Sequence, residues 1–488
     1  MTVPSLAHRI RPLHLIIIGA LLVRLVNVTA PIIGVHSWRQ ADTAAMARNF
    51  YQGEMNILYP QVDWGGNTPG YVESEFPIYQ YVVALLYSMF GPVEACARAL
   101  SIVASIMGIV FFYLLVARIL GERTANWATA FYAFLPLNLF YGRAAMPETM
   151  MLMFLVTGVY AFVRWIDEGE RRFFMLSAAS IALACLSKLP SLYIGLPLAY
   201  LAWTRHKWGF LRRPSLWGYA ALVLVPVGLW YYHSHQILLN GGLTFGIWEY
   251  SQDKWGNWGL VATIDFWNKI LFQGLSERHL TWLGLPLVIA GLSSKKLQPK
   301  ERLFDFWLLA VLVYTVIVAK GNYVHEYYQL PAMIPLPVFM GKAMNRVVWE
   351  RWWQRKWTML ALLCVLGTVV LSLWRYSNYL SQEEPSASIR FYLAGKIKDL
   401  TPDKALIGVL DNSNPTILYL AARKGWRLDA ASLDHEKIRR LASTGMKYWA
   451  GVRADVNDES WRSIEELSRD YHVLYADGNA FLVSAKTK

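Results

Sequence analysis

The chain has 488 residues, of which 55% are hydrophobic and 17% charged, and its 47 basic and 34 acidic residues give a formal net charge of +13. Soluble domains carry about 25% charged residues, so this composition excludes an ordinary soluble protein. A nucleic-acid-binding protein would carry its basic residues on a polar surface, whereas here they flank long apolar segments. We therefore predict a membrane protein with no nucleic-acid partner.

Eleven apolar segments are candidates for crossing a bilayer, which takes about 20 residues. They lie near residues 13–33, 98–118, 124–142, 149–166, 173–187, 189–204, 216–236, 281–293, 303–319, 328–344 and 357–376. A twelfth stretch, Pro77–Phe90, is shorter and contains Gln80, which favours a helix at the membrane surface. The pattern predicts a polytopic α-helical membrane domain over residues 1–376.

The charges of the loops predict their sidedness, because Lys and Arg collect in cytoplasmic loops. If the amino terminus is cytoplasmic and Pro77–Phe90 does not cross, the inner loops hold most of the basic residues and the outer loops are acidic. If Pro77–Phe90 crossed, this bias would be reversed in the later loops. We therefore predict about eleven crossings in the cytoplasmic membrane, two long outer loops at about 34–97 and 237–280, and an extracytoplasmic carboxyl terminus.

The composition becomes that of a soluble domain in the tail, residues 377–488. The pattern predicts a strand over Ala405–Leu410 and helices over Asp434–Ser443 and Ser460–Tyr471. The turn Ala476–Asn479 contains Asp-Gly, which favours a β-hairpin. We predict a small extracytoplasmic α/β domain here.

Asp42 is the first candidate site residue, because charged groups at the mouths of membrane helices are costly and therefore default functional candidates. It follows the first crossing, near the start of an apparent helix. We expect the helix dipole to keep its carboxylate ionised, as a general base requires. The alternative is that Asp42 only caps this helix.

Glu148 and Lys188 are the next candidates in chain order. Glu148 lies at the outer end of the third crossing, where it is either a second site acid or a first-turn glutamate that interacts with the helix dipole. Lys188 lies between two short apolar segments and needs an anionic partner there. We predict a phosphate at the membrane surface as that partner, with snorkelling to lipid headgroups as the alternative.

Further polar and aromatic side chains are predicted on the same outer face. They are Arg39, Glu75, Arg143, His325, Tyr327, Tyr328 and Gln329. Taken alone, His325 is better explained as an interfacial histidine. As a group, these residues predict a site that binds an anionic ligand.

The order and sidedness of these motifs resemble the bacterial glycosyltransferase family 39 type of the GT-C superfamily, which includes the protein O-mannosyltransferases and the lipid A aminoarabinose transferase. The motifs are His36–Thr43, Ala47–Phe50, Tyr59–Trp64, Glu75–Tyr79, Gly142–Glu148, Ser187–Pro190 and His325–Pro331. The resemblance covers about residues 10–345. The chain departs from the mannosyltransferases at Ala41-Asp42-Thr43, where those have adjacent Asp-Glu, and it lacks the long central domain of the eukaryotic members.

The resemblance implies a GT-C fold and inverting transfer of a sugar, hexose or pentose, from a polyprenyl-phosphate donor. The acceptor would be an envelope glycan, a lipid or a protein at the outer face of the membrane. Asp42 and Glu148 match the catalytic positions, and Lys188, His325 and Tyr328 match the lipid-phosphate positions; we add Arg39, Glu75, Arg143, Tyr327 and Gln329 as donor-binding residues. A divalent ion between Asp42 and Glu148 is compatible with the resemblance, but we predict no metal and no cofactor.

Two other functions remain as alternatives. The first is a glycan polymerase or ligase, which would transfer a whole oligosaccharide. The second is a transporter or flippase of lipid-linked glycans. Transporters place their sites near the bilayer midplane and often carry inverted repeats, whereas here the candidates lie at one face and the sequence shows no repeat.

Overall fold

Helices form most of the chain, and the computed structural model describes residues 12–247, 255–349, 355–453 and 456–488. The chain divides into two compact units. The first unit comprises the described residues within 1–26, 99–233 and 246–377, and the second those within 27–98, 234–245 and 378–488.

The elements before the tail are helices and two short strands. They are α1 (Pro12–Leu25), α2 (Ser37–Gln52), β1 (Val72–Glu73), α3 (Ile78–Phe90), α4 (Glu94–Leu120), α5 (Glu122–Phe134), α6 (Pro136–Tyr141), α7 (Glu148–Glu168), α8 (Arg171–Ser187), α9 (Gly195–His206), α10 (Pro214–Leu239), β2 (Leu243–Thr244), α11 (Trp258–Val261), α12 (Ile264–Trp267), α13 (Gly284–Leu292), α14 (Leu303–Ile317), α15 (Ala319–Val324), α16 (Pro335–Trp349) and α17 (Arg355–Ser381). A π-helix (Asn268–His279) follows α12, and 3-10 helices (Leu189–Ile194 and Glu326–Met333) precede α9 and α16.

All eleven segments predicted to cross the membrane contain helix. Among the described residues, α4, α7, α10 and α17 are long and apolar enough to cross on length and composition alone, and α1 and α3 are apolar but shorter. The segment predicted over 124–142 is divided at Leu135 into α5 and α6. Proline at position 136 has no N–H to continue the helical hydrogen bonds of α5, so the chain restarts there.

Small residues let the helices of the first unit approach one another. A Cβ atom on Gly158 of α7 would lie 2.5 Å from Ile181 of α8, and one on Gly341 of α16 would lie 2.7 Å from Ala128 of α5. Close helix contacts of this kind are typical of membrane proteins, in which van der Waals packing stabilises helix pairs that are both surrounded by lipid. These two close contacts therefore help to hold the helices of the first unit together.

The stretch predicted as an outer-surface helix is a separate helix, α3, in the second unit. It packs against α2, where the rings of Phe50 and Tyr81 meet edge to face with centroids 5.8 Å apart. Gly91, at a φ of 81°, ends the helix in a conformation that residues with a side chain rarely adopt.

The tail forms a small α/β domain, as predicted, and it folds around a five-stranded sheet. Its elements are α18 (Ile389–Leu400), β3 (Leu406–Leu410), α19 (Thr416–Ala421), β4 (Gly425–Leu428), α20 (His435–Ser443), β5 (Met446–Val452), α21 (Asp458–Ser468), β6 (Tyr471–Ala476) and β7 (Ala480–Thr487). The strand order is β4-β3-β5-β7-β6, with β4, β3 and β5 parallel and β7 antiparallel to both of its neighbours. Trp449, Trp461, Tyr471 and Phe481 fill one face of the sheet.

The predicted tail elements differ from the structure only at their ends. Helix α21 begins at Asp458, two residues before the predicted start, because the side chain of Asn457 accepts a hydrogen bond from the Ser460 N–H and caps it. It ends at Ser468, and Tyr471 begins the strand β6. The predicted hairpin turn joins β6 to β7, with Gly478 at a φ of 81°.

The second unit contains the tail together with a large part of the first predicted outer loop. The N–H of Gly425 in β4 donates to the carbonyl of Asp63 (2.8 Å), and the N–H of Gly66 donates to the carbonyl of Gly425 (2.7 Å). Since β4 is an edge strand of the sheet, these bonds attach the loop segment around Trp64 to the tail.

Candidate active site

Asp42 lies in the second turn of α2, which begins at Ser37 with His36 as the preceding cap residue. Its side chain is only 1% exposed. The indole N–H of Trp64 donates to Oδ1 of Asp42 over 2.9 Å. Asp42 is thus the sixth residue of α2, and the alternative that it caps the helix is wrong.

The pKa of Asp42 is raised by burial to about 7. The Trp64 hydrogen bond and the charges of Arg427 and Arg39 act against burial and lower it, whereas Asp63 raises it. Burial, the largest of these effects, therefore outweighs the contacts that favour the ionised carboxylate. A pKa near the working pH is the value that suits a general base.

Arg39 and Glu75 form an ion pair in the same unit as Asp42, with 3.2 Å between Nη2 and Oε2. Arg39 precedes Asp42 by three residues, so both project from one side of α2. The guanidinium of Arg39 also lies 5.5 Å from the ring centroid of Phe245. The second unit thus brings three predicted site residues together: Arg39, Asp42 and Glu75.

Glu148 and Lys188 form a buried ion pair in the first unit, with Nζ 2.9 Å from Oε1. Glu148 is the first residue of α7, in agreement with one of its two interpretations. Lys188 lies in extended backbone directly after α8, and its ammonium is 4.7 Å and 4.4 Å from the ring centroids of Tyr327 and Tyr328. Its anionic partner in the structure is Glu148, and snorkelling of this buried lysine to lipid is excluded.

The aromatic group around Lys188 extends to His325. The imidazole of His325 is stacked on Tyr327, with centroids 5.1 Å apart and planes 12° from parallel. Tyr328 is fixed through its carbonyl, which accepts a hydrogen bond from the hydroxyl of Tyr314 (2.8 Å). The first unit therefore brings together five of the predicted site residues: Glu148, Lys188, His325, Tyr327 and Tyr328.

Gln329 and Arg143 are buried in the same unit. Oε1 of Gln329 bonds to Nε2 of His279, and its Nε2 donates to the carbonyl of Asn322. Burial lowers the pKa of His279 to about 4, so this histidine is neutral at physiological pH. Gln329 thus stabilises the contact between the π-helix and the 3-10 helix that carries Tyr327.

Sequence reasoning missed three residues that contact the predicted site: Trp64, His279 and Arg427. Trp64 belongs to the motif Tyr59–Trp64, and its position there is the one local signal that could have identified it. His279 lies at the end of the Trp-rich segment predicted as the second outer loop. Arg427 lies in the tail, where no local pattern relates it to Asp42.

Each of the two predicted catalytic acids has one carboxylate oxygen bonded to a neighbouring side chain. Oε1 of Glu148 is paired with the ammonium of Lys188, and a cation in this place repels a second cation. Oδ1 of Asp42 accepts the Trp64 N–H. Mg²⁺ and related ions need several oxygen ligands at short distance, and among the described residues no group of three or more His, Cys, Asp or Glu side chains could hold such an ion.

The chain is similar to one protein family over part of its sequence and to several solved structures in its fold. Residues 74–232 match the family model described as dolichyl-phosphate-mannose-protein mannosyltransferase. No curated protein sequence matches the chain significantly. Among solved structures, ArnT from Cupriavidus metallidurans bound to undecaprenyl phosphate is similar, with 17% identity, a TM-score of 0.69, and coverage of 97% of this chain and 98% of that one.

Two other structures are similar at lower identity. The archaeal oligosaccharyltransferase AglB from Archaeoglobus fulgidus, in complex with an inhibitory peptide and a dolichol-phosphate, has 11% identity and a TM-score of 0.62 over 97% of this chain and 74% of that one. The arabinofuranosyltransferase AftD from Mycobacteria has 13% identity and a TM-score of 0.54 over 98% and 41%.

These comparisons confirm the resemblance that the motifs indicated. The chain has the GT-C fold, as a polytopic α-helical membrane protein with a small α/β domain at its carboxyl end. Residues 74–232 are similar to the mannosyltransferase family model, and the fold as a whole is similar to that of ArnT.

Proposed function

We propose that this membrane glycosyltransferase moves a single hexose or pentose from a polyprenyl-phosphate donor to an acceptor at the outer face of the cytoplasmic membrane. The observation that carries the proposal is the buried carboxylate of Asp42, with a pKa of about 7, in a GT-C fold. Support for the donor class comes from the similar structures, since ArnT is bound to undecaprenyl phosphate and AglB to a dolichol-phosphate.

In the proposed reaction, Asp42 takes the proton of an acceptor hydroxyl as its oxygen attacks the anomeric carbon. A glycosidic C–O bond forms while the bond from that carbon to the phosphate oxygen breaks, and the anomeric configuration is inverted. The phosphate leaves with the bonding electrons and stays on its lipid. General-base catalysis of this kind contributes about 10²- to 10⁴-fold to the rate.

Lys188 is the residue that we propose for the lipid phosphate. An ammonium group has three N–H donors, so Lys188 can keep its bond to Glu148 and still donate to a phosphate oxygen. The rings of Tyr327 and Tyr328 hold the ammonium in place by cation–π contacts. Arg39, Glu75, Arg143, His325 and Gln329 remain proposed donor-binding residues, and Glu148 a proposed catalytic one.

The acceptor class stays open to an envelope glycan, a lipid or a protein, and we propose that no metal or cofactor takes part. The Lys188 ammonium paired with Glu148 supports metal independence, because it repels a second cation. The positive charge needed to stabilise the leaving phosphate would come from Lys188.

The donor class can be tested with the purified protein in lipid nanodiscs. We expect transfer from a polyprenyl-phosphate sugar and none from the matching nucleotide sugar, with a rate that EDTA leaves unchanged. Deleting the gene should lower the mass of the natural acceptor by the mass of the transferred group. This mass difference distinguishes a single sugar from an oligosaccharide. Use of the nucleotide sugar alone, or retention of the donor's anomeric configuration, would contradict the proposal.

The proposed orientation predicts an extracytoplasmic carboxyl terminus. A reporter enzyme that is active only outside the cytoplasm is expected to be active when fused after Lys488. The same reporter fused within the loop around Lys295 should be inactive, because that loop is predicted to be cytoplasmic. An inactive fusion at Lys488 would mean that Pro77–Phe90 crosses the membrane after all.

A further inference from the structure

We propose that the tail domain positions the general base, with Arg427 and Trp64 as the residues that connect it to Asp42. This inference rests on the proposed function, in which Asp42 takes the acceptor proton. It assigns to the α/β tail a direct effect on the catalytic step, and it makes Trp64 and Arg427 positioning residues of that step.

The first link is the hydrogen bond from Trp64 to Asp42. An indole can donate through its single N–H and has no acceptor, so the bond stabilises the carboxylate form of Asp42 and fixes Oδ1. Among the described residues no donor bonds to Oδ2, which leaves that oxygen for an acceptor hydroxyl. Trp64 is itself 7% exposed and meets Phe245 edge to face, so its ring is held on more than one side.

The second link is the contact between Arg427 and Trp64. The guanidinium carbon of Arg427 lies 3.6 Å from the ring centroid of Trp64, and its Nη1 donates to the carbonyl of Ser413 (3.2 Å). A cation over the face of an indole is attracted by the ring electrons. It also draws electron density from the ring, which makes the N–H a stronger donor to Asp42.

The backbone around Trp64 is attached to the same strand that carries Arg427. Gly425 of β4 bonds to the carbonyl of Asp63 and to the N–H of Gly66, on either side of Trp64. A Cβ atom at Gly66 would lie 2.3 Å from the indole nitrogen of Trp426, so this close approach requires glycine. The tail therefore fixes both the ring and the backbone of the residue that bonds to the base.

A second attachment joins the helix of Asp42 to the tail. Arg48 of α2 donates to the carbonyl of Tyr419 in α19 (2.8 Å) and to Oδ2 of Asp63 (2.5 Å). Its guanidinium also lies over the ring of Tyr419, 5.0 Å from the centroid. Helix α2, the Trp64 segment and the tail are thus each bonded to the other two. A shift of the tail would therefore be transmitted to Asp42.

The charges around Asp42 determine how the loss of Arg427 would change its pKa. Arg39 on α2 and Arg427 on β4 lower the pKa of Asp42, whereas Asp63 raises it. A base works when it is ionised, so the reaction is fast above the pKa of Asp42 and slow below it. Removing Arg427 raises that pKa and moves the loss of activity to higher pH.

The test is the pH profile of kcat/KM for Arg427→Ala, which reports the free enzyme. We expect the acid limb to move up by about 0.5 pH unit or more, as loss of a nearby opposite charge does. Arg427→Lys, which keeps the charge, should stay close to the wild type. Arg440→Ala is the matched control, since it removes an exposed arginine from α20 of the same domain.

An Arg427→Ala profile that coincides with those of the wild type and Arg440→Ala overturns the inference. A uniform loss of activity at every pH also overturns it, because an arginine with a purely structural role would produce that result. If Arg427→Ala does not fold, Trp64→Phe tests the same connection, because it removes the N–H together with part of the indole ring, and its acid limb should move in the same direction.

Direct titration of Asp42 separates this inference from the proposed function. Infrared difference spectra of each protein and its Asp42→Asn counterpart give the carboxylate pKa without substrate. A raised pKa in Arg427→Ala supports the link between the tail and Asp42, even if Asp42→Asn were still active and the proposed base thereby rejected. An unchanged pKa together with an inactive Asp42→Asn would overturn the link and keep the proposed function.

Discussion

Replacing Asp42 by asparagine is expected to abolish sugar transfer and leave the fold intact. Asparagine has the same shape and keeps an oxygen that can accept the N–H of Trp64, but its amide cannot take a proton from the acceptor. We expect kcat to fall by about 10²- to 10⁴-fold, the usual contribution of a general base. Burial of a neutral amide avoids the cost of burying a charge, so the melting temperature should not fall.

Asp63→Asn provides the matched control for this substitution, because Asp63 is a second buried carboxylate of the same unit. Its partners are Arg48 and Asn49, so its loss should lower the melting temperature and reduce kcat far less. The comparison therefore separates loss of the base from loss of a buried charge. An Asp42→Asn protein with near-normal turnover would show that another group takes the proton.

The position of Asp42 illustrates which part of the site could be predicted from sequence. Its predicted place in an outer loop rests on the apolar segments around it, which are local signals. The start of α2 could not be predicted, because His36 caps it without a side-chain hydrogen bond. The raised pKa could not be predicted either, since it results from burial by residues distant in the sequence.

The membrane helices and the elements of the tail could be predicted because their sequence signals are local. Much of the site could not be predicted, because it depends on contacts between distant elements. A run of apolar residues, or an Asp-Gly turn between alternating strands, is encoded within a few positions. The pairing of Glu148 with Lys188 and of Trp64 with Arg427 depends on how distant elements pack. The need of Lys188 for an anion was correctly predicted, but its partner in the fold is a carboxylate.

Lys188→Ala is expected to reduce use of the lipid donor by about 10²-fold in kcat/KM, because a charge-assisted bond to phosphate is lost. The same substitution leaves Glu148 as a buried charge without its partner. Breaking a buried pair in this way costs about 3–5 kcal/mol of stability. The loss of activity must therefore be separated from the loss of stability, by measuring both kinetics and thermal unfolding for each variant.

The double variant Lys188→Ala/Glu148→Gln achieves this separation. Replacing the carboxylate by a neutral amide removes the unpaired charge, so the melting temperature should recover toward that of the wild type. Affinity for the lipid donor, measured by equilibrium binding because Glu148 is itself a proposed catalytic residue, should remain low, since the ammonium that we assign to the phosphate is still absent. Lys295→Ala, at an exposed lysine, should leave both quantities unchanged. If donor affinity recovers together with stability in the double variant, or if Lys188→Ala and Lys295→Ala are equally active, Lys188 does not bind the phosphate.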